Sequence, residues 1–196
     1  MEPFRLEAEL AYQGRHIHVK RKSRGKIALE WTITIIAAIA LGILIRIFVA
    51  SLYVVPSASM EDTILVGDKV FAEKLSYRFS EPERGDVVIF IDPEDPDRFL
   101  VKRCIALGGE TVDLIDGEVY VDGELLEEDE YTLGKPTYQL TSKISFPYKV
   151  PKGKIWVMGD NRTNSSDSRV FGAVPLDSLV AQGLCVLWPI SDWRSL

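Results

Sequence analysis

A chain of 196 residues, 46% of them hydrophobic, has room for one ordinary folded domain plus an appendage, and that composition excludes a disordered polypeptide. The net charge of −6 is unevenly placed: residues 1–30 carry seven Lys/Arg against four Asp/Glu, Arg46 adds one cation, and residues 47–196 sum to −10. A globular part that acidic argues against a nucleic-acid partner, whose phosphates need a basic surface.

In chain order, residues 1–14 are amphipathic and mildly acidic and carry no motif. Arg15 to Lys26 then holds six Lys/Arg and no acid, immediately before an apolar run that begins at Trp31. Interrupted only by Arg46, the run continues to Val55 for 25 residues. As helix it would measure about 37 Å, enough to cross a hydrocarbon core of about 30 Å. Arg46 sits in its second half, where its stem can reach outward to the headgroups, and Trp31 and Tyr53 are placed like interfacial aromatics. A cleavable signal peptide would need only about 7–15 apolar residues, so a retained anchor is expected, although Ser57-Ala58-Ser59 has the small-residue spacing of a cleavage site. Basic residues before the span place the N-terminus inside. The expected division is therefore a cytoplasmic arm over 1–30, a transmembrane helix over 31–55 and an extracytoplasmic β-rich domain over 56–196, in a single-pass protein of the cell membrane.

Beyond the span the pattern becomes short and strand-like. Lys69–Lys74, Asp86–Ile91, Phe99–Ala106 and Lys154–Gly159 read as strands. Asp116-Gly117 and Asp122-Gly123 flank Glu118–Val121, the strongest hairpin signal in the chain. Residues 124–150 look like a surface excursion, and Val174–Trp188 holds a short helical or strand piece and a terminal apolar run. Many short strands with Gly/Asp turns predict a mainly β, antiparallel domain. Cys104 and Cys185 are far apart without a metal-binding spacing, and are expected as unpaired, buried apolar side chains.

Three polar clusters stand out. Pro56-Ser57-Ala58-Ser59-Met60 opens the polar remainder: it is either a plain membrane-exit turn or a corner that presents a serine hydroxyl at the membrane surface. Both histidines, His16 and His18, precede the span, so a Ser-His-Asp triad or a histidine-ligated metal beyond it is not available. A serine nucleophile there would have to give its proton to Lys, Asp, Glu or Tyr. Lysine serves only when desolvated, because burial lowers its pKa. Lys102 has that setting, sharing a strand face with Leu100, Cys104 and Ala106; the alternative is an edge-strand lysine that reaches back to solvent. Gly159 to Arg169 is almost wholly small polar and charged, either a solvated loop or a network in which Asp167 pairs with Arg169.

Together these clusters resemble the bacterial type I signal peptidases, membrane-bound Ser/Lys proteases. Pro56 to Leu65 is similar to that family's Pro-Ser-x-Ser-Met-x-Pro-Thr-Leu box, with Asp62 in place of the proline and Ile64 in place of the leucine. Arg84-Gly85-Asp86-Val87-Val88 resembles the next box. Val101-Lys102-Arg103 with Gly108-Gly109-Glu110 resembles the lysine box, which more often ends Pro-Gly-Asp. Gly159-Asp160-Asn161-Arg162, with Asn164-Ser165 and Asp167-Ser168-Arg169, resembles the last. The match covers the anchor and roughly residues 54–175, in order. The resemblance implies an antiparallel β domain of the signal-peptidase and repressor-autoprotease type. It also implies Ser59 as nucleophile, Lys102 as general base, Ser165 orienting the lysine amine, and Ser57 with the Ser59 N–H as oxyanion hole. Arg103, Asp167 and Arg169 would form a supporting network, and Met60 would contact substrate. No cofactor or metal is implied. The partners implied are preproteins carrying signal peptides, with Ala at the −1 and −3 positions, the lipid bilayer, and a place near the secretion translocon. A non-catalytic assembly factor would have lost the serine or the lysine, and a repressor-type autoprotease needs no anchor.

Overall fold

The computed structural model describes residues 23–61 and 63–196; most of the arm expected over 1–30, with His16 and His18, lies outside the described residues, as does Asp62. The chain divides into two compact units, Met1–Gly42 and Ile43–Leu196.

Helix α1 spans Arg24–Phe48, buries no side chain and is long and apolar enough to cross a membrane. Its run of Ala, Leu and Ile has no proline to break it, and the Thr32 and Thr34 hydroxyls bond back to the Ala28 and Glu30 carbonyls at 2.9 Å each, which keeps polar atoms satisfied in an apolar setting. The helix bounds differ from the expected 31–55. It starts earlier because Lys26, Ala28, Leu29 and Glu30 are good helix formers. It stops at Phe48 because Ala50–Val54 forms strand β1. β-Branched and aromatic residues there favour a pleated, half-buried surface. The end is capped: the Arg46 carbonyl accepts from Ser51 Oγ at 2.9 Å and from Lys74 Nζ at 3.1 Å.

In the second unit every strand pairing among the described residues is antiparallel, and only short helical turns stand between the strands. The larger sheet runs β1, β2 (Lys69–Glu73), β11 (Leu179–Trp188), β3 (Val87–Asp92), β4 (Asp95–Ala106), β9 (Lys154–Met158) and β10 (Val174–Pro175), with β12 (Arg194–Ser195) on β11. The smaller runs β7 (Glu124–Leu125), β6 (Glu118–Val121), β5 (Thr111–Ile115) and β8 (Tyr148–Lys149). The two Asp-Gly pairs make the tight turns joining β5 to β6 and β6 to β7, with φ of 53° and 91° at Asp116-Gly117 and 52° and 84° at Asp122-Gly123. Trp156 of β9 joins the two sheets: it is buried with Val112 and Val119 of the small sheet and Ile105 and Met158 of the large one. Tyr148 lies 4.6 Å from its ring and Phe146 meets it edge-on at 5.8 Å. Cys104 and Cys185 are unpaired; burial pushes the Cys104 thiol up to about 12.

Two features of this topology position the site. The β1–β2 connection carries residues 55–68 as a closed loop, with Val55 N–H on the Asp68 carbonyl at 3.0 Å and Gly67 N–H on the Val55 carbonyl at 2.8 Å. Strand β9 pairs with β4 only over Arg103–Ala106, so among the described residues the stretch of β4 from Asp95 to Lys102 has β3 on one side and no strand on the other.

Candidate active site

Ser59 and Lys102 meet although 43 positions separate them. Ser59 stands in the short 3₁₀ turn Ala58–Met60, which the extended backbone of Ser57 enters. Lys102 stands where β4 emerges from its pairing with β9, and its Nζ donates to Ser59 Oγ at 2.6 Å and to the Val101 carbonyl at 3.0 Å. The two residues are 8% and 2% exposed. Burial lowers the amine to about 8 from an ordinary 10.5, against the pull of Asp167, Asp160 and Asp92, which favour the charged form. Lys102 is therefore not an edge lysine reaching for solvent. Ser57 Oγ lies 3.4 Å from Ser59 Oγ on the exposed side of the turn.

The loop after β9 holds the Ser59 turn from behind. Asn161 N–H donates to the Ser59 carbonyl at 3.1 Å and Asn161 Nδ2 to the Ala58 carbonyl at 3.0 Å. A Cβ on Gly159 would lie 2.3 Å from both the Ser59 carbonyl oxygen and Ser165 Oγ, so only glycine admits this approach. Ser165 is thus beside the dyad and buried, but among the described residues its hydroxyl makes no hydrogen bond to the Lys102 amine.

The charged residues resolve into two separate pairs. Arg169 Nε and Nη2 clasp Asp167 at 2.9 and 2.8 Å, both side chains fully buried. Burial alone would raise the Asp167 carboxyl, but the Arg169 guanidinium and the Gly159 N–H outweigh it and hold the group below its ordinary value. Arg103 does not join that pair: its Nε and Nη2 bind Asp160 at 2.9 and 2.7 Å, its Nη1 binds the Gly85 carbonyl, and its guanidinium stacks 4.2 Å from the Tyr131 ring. Met60, expected to contact substrate, is fully buried with Val55, Ile64, Val70 and Val186; its long apolar side chain anchors the turn in the core.

Sequence reasoning passed over several residues that hold the site. Glu128 and Thr137, in the stretch expected as a surface excursion, are buried because Arg162 reaches them at 2.6 and 2.8 Å. Arg194 of β12 donates to the Thr63 carbonyl at 2.7 Å and to Asp68 Oδ2 at 2.6 Å, clasping the return limb of the Ser59 loop. Nothing local distinguishes Glu128 from its acidic neighbours Glu127, Asp129 and Glu130, and nothing local marks Arg194. Among the described residues no group of three or more His, Cys, Asp or Glu is arranged to hold a metal ion.

In front of the dyad lies an open cleft of about 260 Å³, with Ser57, Ser59 and Lys102 at one end and Leu100 and Phe171 along its wall. A buried amine touching a serine hydroxyl at such a cleft suits the chemistry of a serine hydrolase that works without histidine.

Comparison with known proteins agrees with that class and narrows it. Residues 28–188 match the family model described as signal peptidase, peptidase S26, and the chain belongs to that family. It is 40% identical over 169 residues to a probable signal peptidase I-1 of Synechocystis sp., covering 83% of each chain. It is 37% identical over 179 residues to signal peptidase I T of Bacillus subtilis, covering 88% of this chain and 92% of the relative. A crystal structure of a signal peptidase I from Enterococcus faecalis is 28% identical and covers 53% of this chain and 97% of its own, with a TM-score of 0.42. The family consists of serine peptidases that cleave signal peptides from preproteins, and cleavage of such preproteins is the activity of this chain.

Proposed function

We propose that the Ser59–Lys102 pair performs this cleavage, and the observation that carries the reading is the 2.6 Å contact between a buried amine and a buried hydroxyl. Neutral Lys102 takes the Ser59 proton as Oγ attacks the scissile carbonyl. The oxyanion that forms faces two donors: Ser57 Oγ and the Ser59 N–H, which at the start of a 3₁₀ turn has no partner within that turn. In a comparable protease one such donor contributes about 3–4 kcal/mol to the transition state. Collapse breaks the peptide bond, and the Lys102 ammonium protonates the leaving amine. Water, activated by the again neutral Lys102, then hydrolyses the acyl ester on Ser59. Arg103–Asp160 ties β4, which carries Lys102, to the loop after β9 that holds the Ser59 turn, and Asp167–Arg169 fixes the far side of that loop. The placement of Ser165 Oγ and the Ser59 carbonyl around Gly159 supports a role for Ser165 beside the amine.

The substrate read from this arrangement is a preprotein with small residues at −1 and −3, received by the apolar wall at Leu100 and Phe171. Helix α1 is read as a membrane anchor, with the arm before it cytoplasmic and the β unit outside, acting on substrates at the bilayer near the translocon. The test is cleavage of a preprotein with Ala at −1 and −3 by the full chain. Ser59→Ala and Lys102→Ala should both lose activity while keeping the wild-type circular dichroism; undiminished cleavage by Lys102→Ala would remove the lysine from the mechanism.

A further inference from the structure

One face of β4 carries Lys102, Leu100 and Arg98 at alternate positions, and the three line the same cleft. Arg98 is held in an uneven way. Its Nε donates to Asp92 Oδ2 at 2.6 Å and its Nη2 pairs with the same oxygen; the arginine side chain is 57% exposed and the aspartate side chain 1%. Asp92 Oδ1 is occupied as well, by the Glu94 N–H at 2.8 Å. A buried carboxylate thus grips one edge of a guanidinium and leaves its other donors open at the cleft, where Glu94 also stands.

Among the described residues the edge of β4 beside these side chains carries no strand from Asp95 to Lys102. An extended peptide can add to such an edge as a strand, with alternate side chains on one face. With its scissile carbonyl at Ser59, the side chain two residues away falls level with Leu100 and the one four away falls level with Arg98, about 13 Å from the amine at roughly 3.3 Å per residue. The apolar wall at Leu100 suits the small −3 residue, which fixes the direction and brings −5 to Arg98.

We infer that Arg98, oriented by Asp92 and flanked by Glu94, forms a polar subsite for the −5 side chain of the substrate, selecting a neutral hydrogen-bonding residue. Arg98 offers donors and repels a base; Glu94 offers acceptors and repels an acid. A hydroxyl or amide satisfies both, whereas an apolar side chain leaves both unpaired. This rests on the assignment of Ser59 and Lys102 above.

The experiment uses the full-length chain in detergent and four peptides identical except at −5, which carries Gln, Leu, Glu or Lys. They compete in one mixture, so that ratios of kcat/KM do not depend on how much enzyme is folded. The wild type should cut the Gln peptide faster than the Leu peptide by about fivefold, the ratio that the net gain of one hydrogen bond at a partly exposed site commands. Arg98→Leu and Asp92→Asn should each bring that ratio towards one, and Arg98→Glu should put the Lys peptide first. An unchanged ranking in Arg98→Glu and Arg98→Leu overturns the subsite and leaves the dyad standing. Cleavage of the same mixture by Ser59→Ala would instead overturn the assignment beneath it.

Discussion

At 2% exposure the Lys102 amine has given up nearly all its hydration, and nearby carboxylates restore only part of what the charged form loses. Only the neutral amine can accept the Ser59 proton. kcat/KM should therefore rise with pH through a midpoint near 8 and level off above it; a midpoint at the ordinary lysine value would mean that the amine stays hydrated. The same shift has a sign for stability. Between 8 and 10.5 the folded chain binds fewer protons at Lys102 than the unfolded one, so stability rises with pH across that window. The penalty is fully present below 8 and gone above 10.5, and at neutral pH it is about 3 kcal/mol. Lys102→Met should raise the Tm at pH 7 and lose most of that gain at pH 11, as thermal unfolding at the two pH values would show. Gly159 sets a second limit, because a methyl there meets the Ser59 backbone oxygen, which cannot swing away. Gly159→Ala should lower kcat by about 100-fold, the usual consequence of displacing a reacting group by an ångström, and a crystal structure or the Tm would show the fold retained. Ser59 and Lys102 were candidates in the sequence because each breaks its local pattern, a serine pair at the end of an apolar run and a lysine on an apolar strand face, though the pattern alone also allowed a plain turn and an edge lysine. Asp160, rather than Asp167, as the partner of Arg103 was not, since both acids lie in one loop and only the path of that loop decides which reaches β4.

Apart from the 3₁₀ turn Ala58–Met60, the described residues of the Ser59 loop have no regular structure, and the loop's shape is imposed at its ends. Asp68 caps the Leu65 N–H at 3.0 Å while accepting from Arg194, so one guanidinium on β12 fixes both the loop's carboxylate and its Thr63 carbonyl. Charge-assisted bonds of this kind contribute about 1.5–3 kcal/mol each. Arg194→Ala should accordingly reduce kcat by roughly tenfold or more, with KM little changed, because a loosened loop misplaces the Ser59 hydroxyl in the transition state. Arg194→Lys, which keeps one of the two bonds, should recover part of the rate. A fall in Tm that accounts for the lost activity, with kcat per folded molecule intact, would make the clasp structural only. Strands with a clear period of two, and both Asp-Gly hairpins, were readable in advance because their signals are local. The end of the apolar run was not: Ala50 to Val54 is nearly as apolar as α1, and only pairing with Glu73 to Lys69 of β2 makes those residues strand. The excursion over 124–150 is mostly exposed, but Glu128 and Thr137 in it face inward because Arg162, also buried, needs them as partners, and the sequence alone does not show which polar residue has found one.

At the scale of the whole molecule, charge separates the chain more sharply than sequence length does. The residues before α1 are basic and those beyond it sum to an acidic body. Lys and Arg close to the end of a span resist translocation, whereas acidic residues contribute little to orientation, so the arm should remain in the cytoplasm and the β unit should cross. That placement follows from composition alone and does not depend on the dyad. It can be read by labelling intact spheroplasts with a membrane-impermeant maleimide after Cys104 and Cys185 are replaced by Ala: a cysteine introduced at exposed Lys152 should react and one at Gln13 should not. Exchanging Lys20, Arg21, Lys22, Arg24 and Lys26 for Gln removes most of the asymmetry and should send a fraction of the chains in inverted, with label now reaching position 13. Preprotein processing in those cells should fall by the same fraction, because an inverted β unit meets no translocated substrate, while the detergent-solubilised enzyme should keep its full rate. Equal loss in detergent would show that the basic residues act on the catalytic unit itself and not on the direction in which it is inserted.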